Sequence, residues 1–149
     1  MATVTPFLWY DDDLGAALDS YGRIFGDIKT DVQQRTPDGG VFVAAFEIAG
    51  QRVMAMNAGP GHPHTDAFSF FVSVRGQDEV DRYWDAFLAD GGSPTACGWL
   101  DDRFGVSWQI VPEELMAAVS DSDPAKAEYA RQAMYRMQKI VIADLTDPA

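Results

Sequence analysis

The order of elements along this chain repeats, and that repetition limits the possible folds more than any single motif does. Thr3 to Tyr10 is apolar and β-prone, and Leu14, Ala17, Leu18, Tyr21, Ile24 and Phe25 then recur at helical spacing. Asp11, Asp12 and Asp13 before them supply N-cap candidates and favourable charge at a helix start. Gly26 closes that helix. Ile28 to Thr36, Val41 to Ile48 and Gln51 to Asn57 read as strands, separated by the hairpin-type turns Pro37-Asp38-Gly39-Gly40 and Ala49-Gly50. The order then restarts. Ala67 to Val74 is a phenylalanine-rich strand, and Val80, Tyr83, Trp84, Phe87 and Leu88 form the next amphipathic face, closed by Gly91-Gly92. A shift of 62 residues lays Leu18, Asp19, Tyr21 and Phe25 on Val80, Asp81, Tyr83 and Phe87. The repeated order and these matches together predict a duplicated strand, helix, three-strand unit.

The second unit closes with short strands near 93 to 96 and 97 to 102, and a strand from Val106 to Val111. Asp102-Arg103-Phe104-Gly105 between them has Asp first and Gly last, which suits a type I turn. Beyond it the chain is helical: Pro112 to Val119, then a helix capped by Asp123 with Pro124 in its first position. Ala127, Ala130, Met134 and Met137 make one face of that helix, which closes the domain's own core or docks on a second subunit; the first is the expectation. The 149 residues are thus expected to form one domain, with unit one at about 1–58, unit two at about 66–112 and a helical extension at about 113–149.

Charge excludes some functions. Against 11 Lys and Arg stand 23 Asp and Glu, for a net charge of −12, so nucleic acid and anionic membrane surfaces are repelled. No apolar run is long enough to span a bilayer. The lone Cys97 forms no intramolecular disulfide, and the first residues lack the basic and apolar regions of a signal peptide, so a cytoplasmic location is expected.

The stretches FLWYDDD, GQRVMAMNAGP, AFSFFVSV, EVDRYWD, CGWLDDRFGVSWQIVP and KAEYARQAMYRMQKIVIADL resemble the PhnB-like branch of the vicinal oxygen chelate superfamily, the glyoxalase and bleomycin-resistance fold, over nearly the whole chain. Members of that branch often carry a demethylubiquinone-methyltransferase label. The resemblance implies an α+β fold in which two βαβββ units form an open cup of mixed sheet, with helices on the convex side and substrate and a divalent metal inside. It also implies a homodimer.

Strand alternation assigns faces. In Ala67 to Val74, the large apolar Phe68, Phe70, Val72 and Val74 suit the helix side, and Ala67, Ser69, Phe71 and Ser73 suit the open side. In Val106 to Val111 the same rule turns Trp108 and Ile110 to the helices and Ser107 and Gln109 to the open side. The resemblance places metal ligands on the first and last strand of each unit, positions that here hold Pro6, Ala55, Ser69 and Gln109. A hard or borderline dication needs three or four converging nitrogen or oxygen donors, and the neighbours Thr5, Phe7, Met54, Met56, Phe68 and Phe70 add at most a hydroxyl. No metal and no cofactor are therefore expected.

The expected ligand face comprises Tyr10, Asn57, Ser69, Phe71, Ser73, Trp99, Ser107 and Gln109, aromatic walls with a few amides and hydroxyls. His62 and His64 form an H-x-H pair, readable as a metal site or proton shuttle on a rim loop, or as surface contacts on a proline-set loop. Cys97 is a nucleophile only with a nearby base or cation, of which Arg103 across the hairpin is the candidate; otherwise it is a small buried hydrophobe. Methyl transfer from a donor bound to a strand, glycine turn and helix is not supported, because the sole G-x-G, Gly59-Pro60-Gly61, precedes a strand. The expected function is binding of a small organic molecule in a metal-free pocket. The alternatives are a metal-assisted lyase, isomerase or dioxygenase-type enzyme of the same superfamily, with His62, His64 or Cys97 as catalytic candidates, and a drug-sequestering resistance protein.

Overall fold

The computed structural model describes residues 1–149, which divide into two compact units, residues 1–63 and 64–149. The first contains β1 (Phe7–Tyr10), α1 (Leu14–Phe25), β2 (Lys29–Arg35), β3 (Val41–Ile48) and β4 (Gln51–Asn57). The second contains β5 (Ser69–Val74), α2 (Gly76–Ala89), β6 (Ser93–Pro94), β7 (Trp99–Asp101) and β8 (Ser107–Pro112), then α3 (Glu113–Val119), α4 (Pro124–Tyr135) and a 3-10 turn (Ile142–Leu145). Each sheet is open and four-stranded, with the orders β1-β4-β3-β2 and β5-β8-β7-β6. In each, the first strand lies parallel to the last and the remaining neighbours are antiparallel. The repeat read from element order is therefore a repeat of topology, and the fold is α+β with two βαβββ units.

Helix α1 forms where Leu14, Ala17, Tyr21 and Ile24 line one buried stripe. Its amino end departs from expectation. Asp13 occupies the N-cap position but makes no side-chain cap, and the Leu14 N–H instead donates to Asn57 Oδ1 at 2.9 Å. Asn57 Nδ2 also donates to the Val41 carbonyl at 3.1 Å, so one amide ties the helix start to the edge of β3 and the end of β4. Such a cap contributes about 1 kcal/mol. Helix α4 follows the rule that α1 breaks: Asp123 Oδ1 accepts from the Ala125 N–H at 2.9 Å, and Pro124 opens the helix.

The second unit is organised around Trp108, which is 1% exposed and lies against Phe70 and Phe87, with ring centroids 4.6 and 5.0 Å away. Burial of an indole that size contributes on the order of 2–3 kcal/mol. Its Nε1–H donates to Asp102 Oδ2 at 3.0 Å, while Asp102 Oδ1 accepts from the N–H groups of Phe104 and Val106. The buried carboxylate thereby satisfies three donors and fixes the predicted turn, which Gly105 closes at φ 90°. The strands expected at 93–96 and 97–102 are shorter than read, Ser93–Pro94 and Trp99–Asp101, because Cys97 and Gly98 adopt left-handed φ values of 58° and 83°. Such backbone cannot continue a strand ladder.

The extension packs on the second unit itself. Leu115, Ile140 and Leu145 bury against Val111 at the end of β8, with Ala118, Val119, Met134 and Met137 partly covered around them. Met137 lies past the end of α4 rather than on its face, since Arg136 already leaves the helix. No helix is long and apolar enough to cross a membrane.

Candidate functional site

Face assignments follow from which side chains reach the helices. In β8, Trp108 contacts Phe87 of α2, so the alternate residues Ser107 and Gln109 lie on the opposite, open face. In β5, Phe70 contacts Trp108, so Ser69, Phe71 and Ser73 share the open face with them. Register brings these residues together: Ser69 pairs with Ser107, Phe71 with Gln109, and Gln109 in turn with Trp99. Gln109 Nε2 donates to Ser69 Oγ at 3.0 Å, which turns the amide across the strand pair. Phe71 is 53% exposed and its neighbour Ser73 is also exposed. Ser107 differs from the expectation of an available hydroxyl, because it is buried and donates to Asp101 Oδ1 at 2.7 Å. The open face of the second unit thus presents an oriented amide between Phe71 and Trp99, with the hydroxyls of Ser69 and Ser73 flanking Phe71 along β5 and the Asp101 carboxylate engaged by Ser107.

In the first unit the expected residues sit elsewhere. Tyr10 is 2% exposed, and its hydroxyl is hydrogen-bonded to that of Tyr21 on α1 at 2.8 Å, so it faces the helix side. Its neighbour Trp9 takes the open-face position instead. Asn57 is committed to α1 and β3 as described, which removes it from the ligand face. Ala55 is fully buried on the helix side with Val53, so the open face of β4 carries Met54 and Met56, in register with Phe7 and Trp9 of β1. The last-strand position read as Ala55 therefore shifts to a methionine and the first-strand position read as Pro6 to Phe7.

The reactive candidates are separated. His62 is exposed and stacks on Trp9, ring centroids 3.9 Å apart, while Trp9 Nε1–H donates to the Gly59 carbonyl at 2.7 Å. The loop carrying Gly59-Pro60-Gly61 leaves β4, folds over Trp9 and leads to no helix. His64 lies in the second unit, beside Gly105. Cys97 is half-buried, and Arg103, its expected cation, turns instead to Asp90 at 3.4 Å. No three His, Cys, Asp or Glu side chains are grouped closely enough to hold a metal ion.

Sequence reasoning passed over three residues that shape these faces. Trp9 hid in the uniformly apolar run FLWY, Asp101 read only as part of the strand at 97–102 and Asp102 as the turn start, although their carboxylates bond Ser107 and Trp108 of β8. The pairing of Asp102 with Trp108 has a local signal, an Asp at a turn start with an indole six residues on.

A family model described as 3-demethylubiquinone-9 3-methyltransferase matches residues 2–111. Among solved structures, a PhnB protein from Bacillus cereus is 25% identical, covering 74% of this chain and 99% of its own, with a TM-score of 0.65. The fosfomycin resistance protein FosX from Listeria monocytogenes, in complex with Mn(II) and sulfate, is 16% identical over 74% of this chain and 91% of its own, TM-score 0.57. A glyoxalase-related enzyme from Fulvimarina pelagi is 19% identical over 75% of this chain and 88% of its own, TM-score 0.52. The last two likenesses concern the fold alone. None of the curated proteins compared matches the chain. Topology, register and the match over most of its length agree: this chain belongs to the family described as 3-demethylubiquinone-9 3-methyltransferase, the PhnB-like branch of the vicinal oxygen chelate superfamily.

Proposed function

We propose that this protein binds a small organic molecule on the open face of its second sheet, without a metal ion. The carrying observation is the Gln109–Ser69 hydrogen bond set beside exposed Phe71. An oriented amide next to an uncovered aromatic ring recognises a planar or amphiphilic guest, with apolar area supplying affinity and the amide supplying orientation. The donors suit a dication poorly. The carboxylates on the open faces are scattered, Asp101 bonded to Ser107 in the second unit and Asp31 and Glu47 on β2 and β3 in the first, and no three His, Cys, Asp or Glu side chains gather, whereas a dication needs three or four converging donors. Methyl transfer is left out of the reading because the glycine loop after β4 leads to a strand rather than a helix, so it supplies no helix N-terminus for a donor. A homodimer in the cytoplasm, where the lone thiol of Cys97 stays reduced, completes the reading.

Thermal unfolding in the presence of a panel of aromatic and amphiphilic compounds tests it. A ligand at a hundred times its Kd stabilises by about 2.7 kcal/mol, a shift of several degrees for a protein this size. Such shifts are expected in the parent and reduced in Gln109→Leu and Ser69→Ala. Shifts that persist unchanged in both variants would place the ligand elsewhere, and stoichiometric transition metal bound by open-face side chains would contradict the metal-free reading. Sedimentation at micromolar concentration is expected to show a dimer, and a monomer there would refute it.

A further inference from the structure

Residues 112–149 lie outside the family match, yet one stretch of them reaches back to the strand that carries Trp99. Past the end of α4, the Met137 carbonyl accepts from the Cys97 N–H at 2.9 Å, and the Gln138 carbonyl accepts from the Gly98 N–H at 2.7 Å. These two bonds form where Cys97, a residue with a Cβ, sits at φ 58°, a conformation that needs surrounding contacts to hold it. Ile140 is fully buried and fits against Gly98 so closely that a Cβ there would lie 3.0 Å from its Cγ1 and 3.0 Å from the Ile110 carbonyl oxygen. The same Ile110 donates its N–H to the Gly98 carbonyl at 2.8 Å, and Trp99 follows at once, paired with Gln109.

The other side of this stretch is anchored to α2. Gln77 uses both ends of its amide, donating to the Ile140 carbonyl at 3.0 Å and accepting from the Ile142 N–H at 2.9 Å. Lys139 Nζ lies 3.0 Å from Asp81 and 3.6 Å from Asp85. Residues 137–142 are therefore held between α2 and the turn that launches β7. The turn is also closed by the Trp99 N–H on the Ala96 carbonyl at 3.0 Å and tied to β8 through Gly98, but only the strap occupies the N–H groups of the left-handed pair itself.

We propose that this strap is the positioning element for Trp99, so that the extension sets the geometry of the ligand face from outside the family's common fold. Ile140 and Lys139 are its positioning residues; neither touches the open face. The proposal rests on the functional reading above only for its consequence. The mechanical link from Ile140 through Gly98 to Trp99 is tested without any ligand.

The experiment uses the full chain labelled with 5-fluorotryptophan, with Trp99→Phe assigning the Trp99 resonance, and amide exchange measured at Cys97 and Gly98. In Ile140→Ala, exchange at both amides is expected to rise about tenfold or more, because the strap that carries their carbonyl acceptors loses the side chain seating it against Gly98. The Trp99 resonance is expected to move or broaden while that of Trp9, in the other unit, stays in place. Lys139→Ala, a substitution at a partly exposed site that keeps the apolar contacts, is expected to give the same pattern with smaller changes, and it carries the test should Ile140→Ala fail to fold. Faster exchange at Cys97 and Gly98 with an unmoved Trp99 resonance would overturn the proposal, as would unchanged exchange in a folded Ile140→Ala. A moved Trp99 resonance in a protein that binds none of the compound panel would sink the functional reading and leave the strap standing.

Discussion

The two sheets share one topology and differ in what their open faces offer. Register makes the comparison residue by residue: Trp9 beside Met56 in the first unit corresponds to Phe71 beside Gln109 in the second, and Phe7 beside Met54 corresponds to Ser69 beside Ser107. Where β1 lies beside β4 the first face is aromatic and thioether, soft and adaptable, and its polar side chains, Glu47 and Arg52, lie beyond Met54. The second keeps one ring and replaces its partners with an amide and hydroxyls. The duplicated scaffold thus carries different side chains on its two open faces, and the proposed recognition falls on the more polar one. The units also differ in how they secure their last strand, through Asn57 at the start of α1 in the first and through Asp102 under Trp108 in the second.

The sharpest way to break this comparison is to remove its heaviest anchor. Trp108→Ala should cost about 3–5 kcal/mol, since it deletes a buried indole and leaves Asp102 short of a donor. Equilibrium denaturation checks this, and a loss under about 1 kcal/mol would mean that the ring is not the keystone of the second core. The first unit predicts a smaller effect. Asn57→Ala should destabilise by about 1–2 kcal/mol, and Asp13→Ala by a few tenths, because the amide and not the aspartate caps α1. Equal losses, or a larger one at Asp13, would restore the local cap that the sequence suggests.

That reversal shows what the sequence made legible. In β5 and β8 serine alternates with phenylalanine, and glutamine with tryptophan, so polarity reports the face and the open-face residues of the second unit were readable. In β1 the run Phe7-Leu8-Trp9-Tyr10 is apolar at every position, and in β4 methionine alternates with valine and alanine. Period two is present there but polarity does not mark which side is which, hence the slip that put Tyr10 and Ala55 on the open face. Asn57 was misplaced for another reason: its partner is 43 residues away, and no local pattern announces a cap supplied by a different strand. The hairpin at Asp102 was readable because turn chemistry is local. The strap was not, since its bonds are backbone bonds to a left-handed turn, for which Cys97 gives no sign.

A still smaller effect concerns pH. The Gln77 amide, followed by Lys139, holds the Asp81 carboxyl below its ordinary value of 3.8, and Asp81 holds the Lys139 ammonium above its ordinary 10.5. A depressed carboxylate stabilises the fold above its unfolded value and loses that contribution as pH falls through the folded one. A raised amine stabilises below its unfolded value and loses that contribution as pH rises through the folded one. The strap should therefore be indifferent to pH between roughly 5 and 9 and loosen below about 4. Exchange at Cys97 and Gly98, corrected for the intrinsic pH dependence, checks it; loosening that begins near pH 6 would point to a different titrating group.

The central claim is that recognition resides on the second unit's face and not on its apolar counterpart. Calorimetric titration of the strongest binder from the compound panel into Gln109→Leu and Met56→Leu, substitutions at corresponding positions of the two repeats, tests it most directly. Loss of the amide should weaken binding about tenfold or more, and the methionine exchange should leave the Kd within about twofold. Equal effects at the two positions, or the larger loss at Met56, would contradict the account.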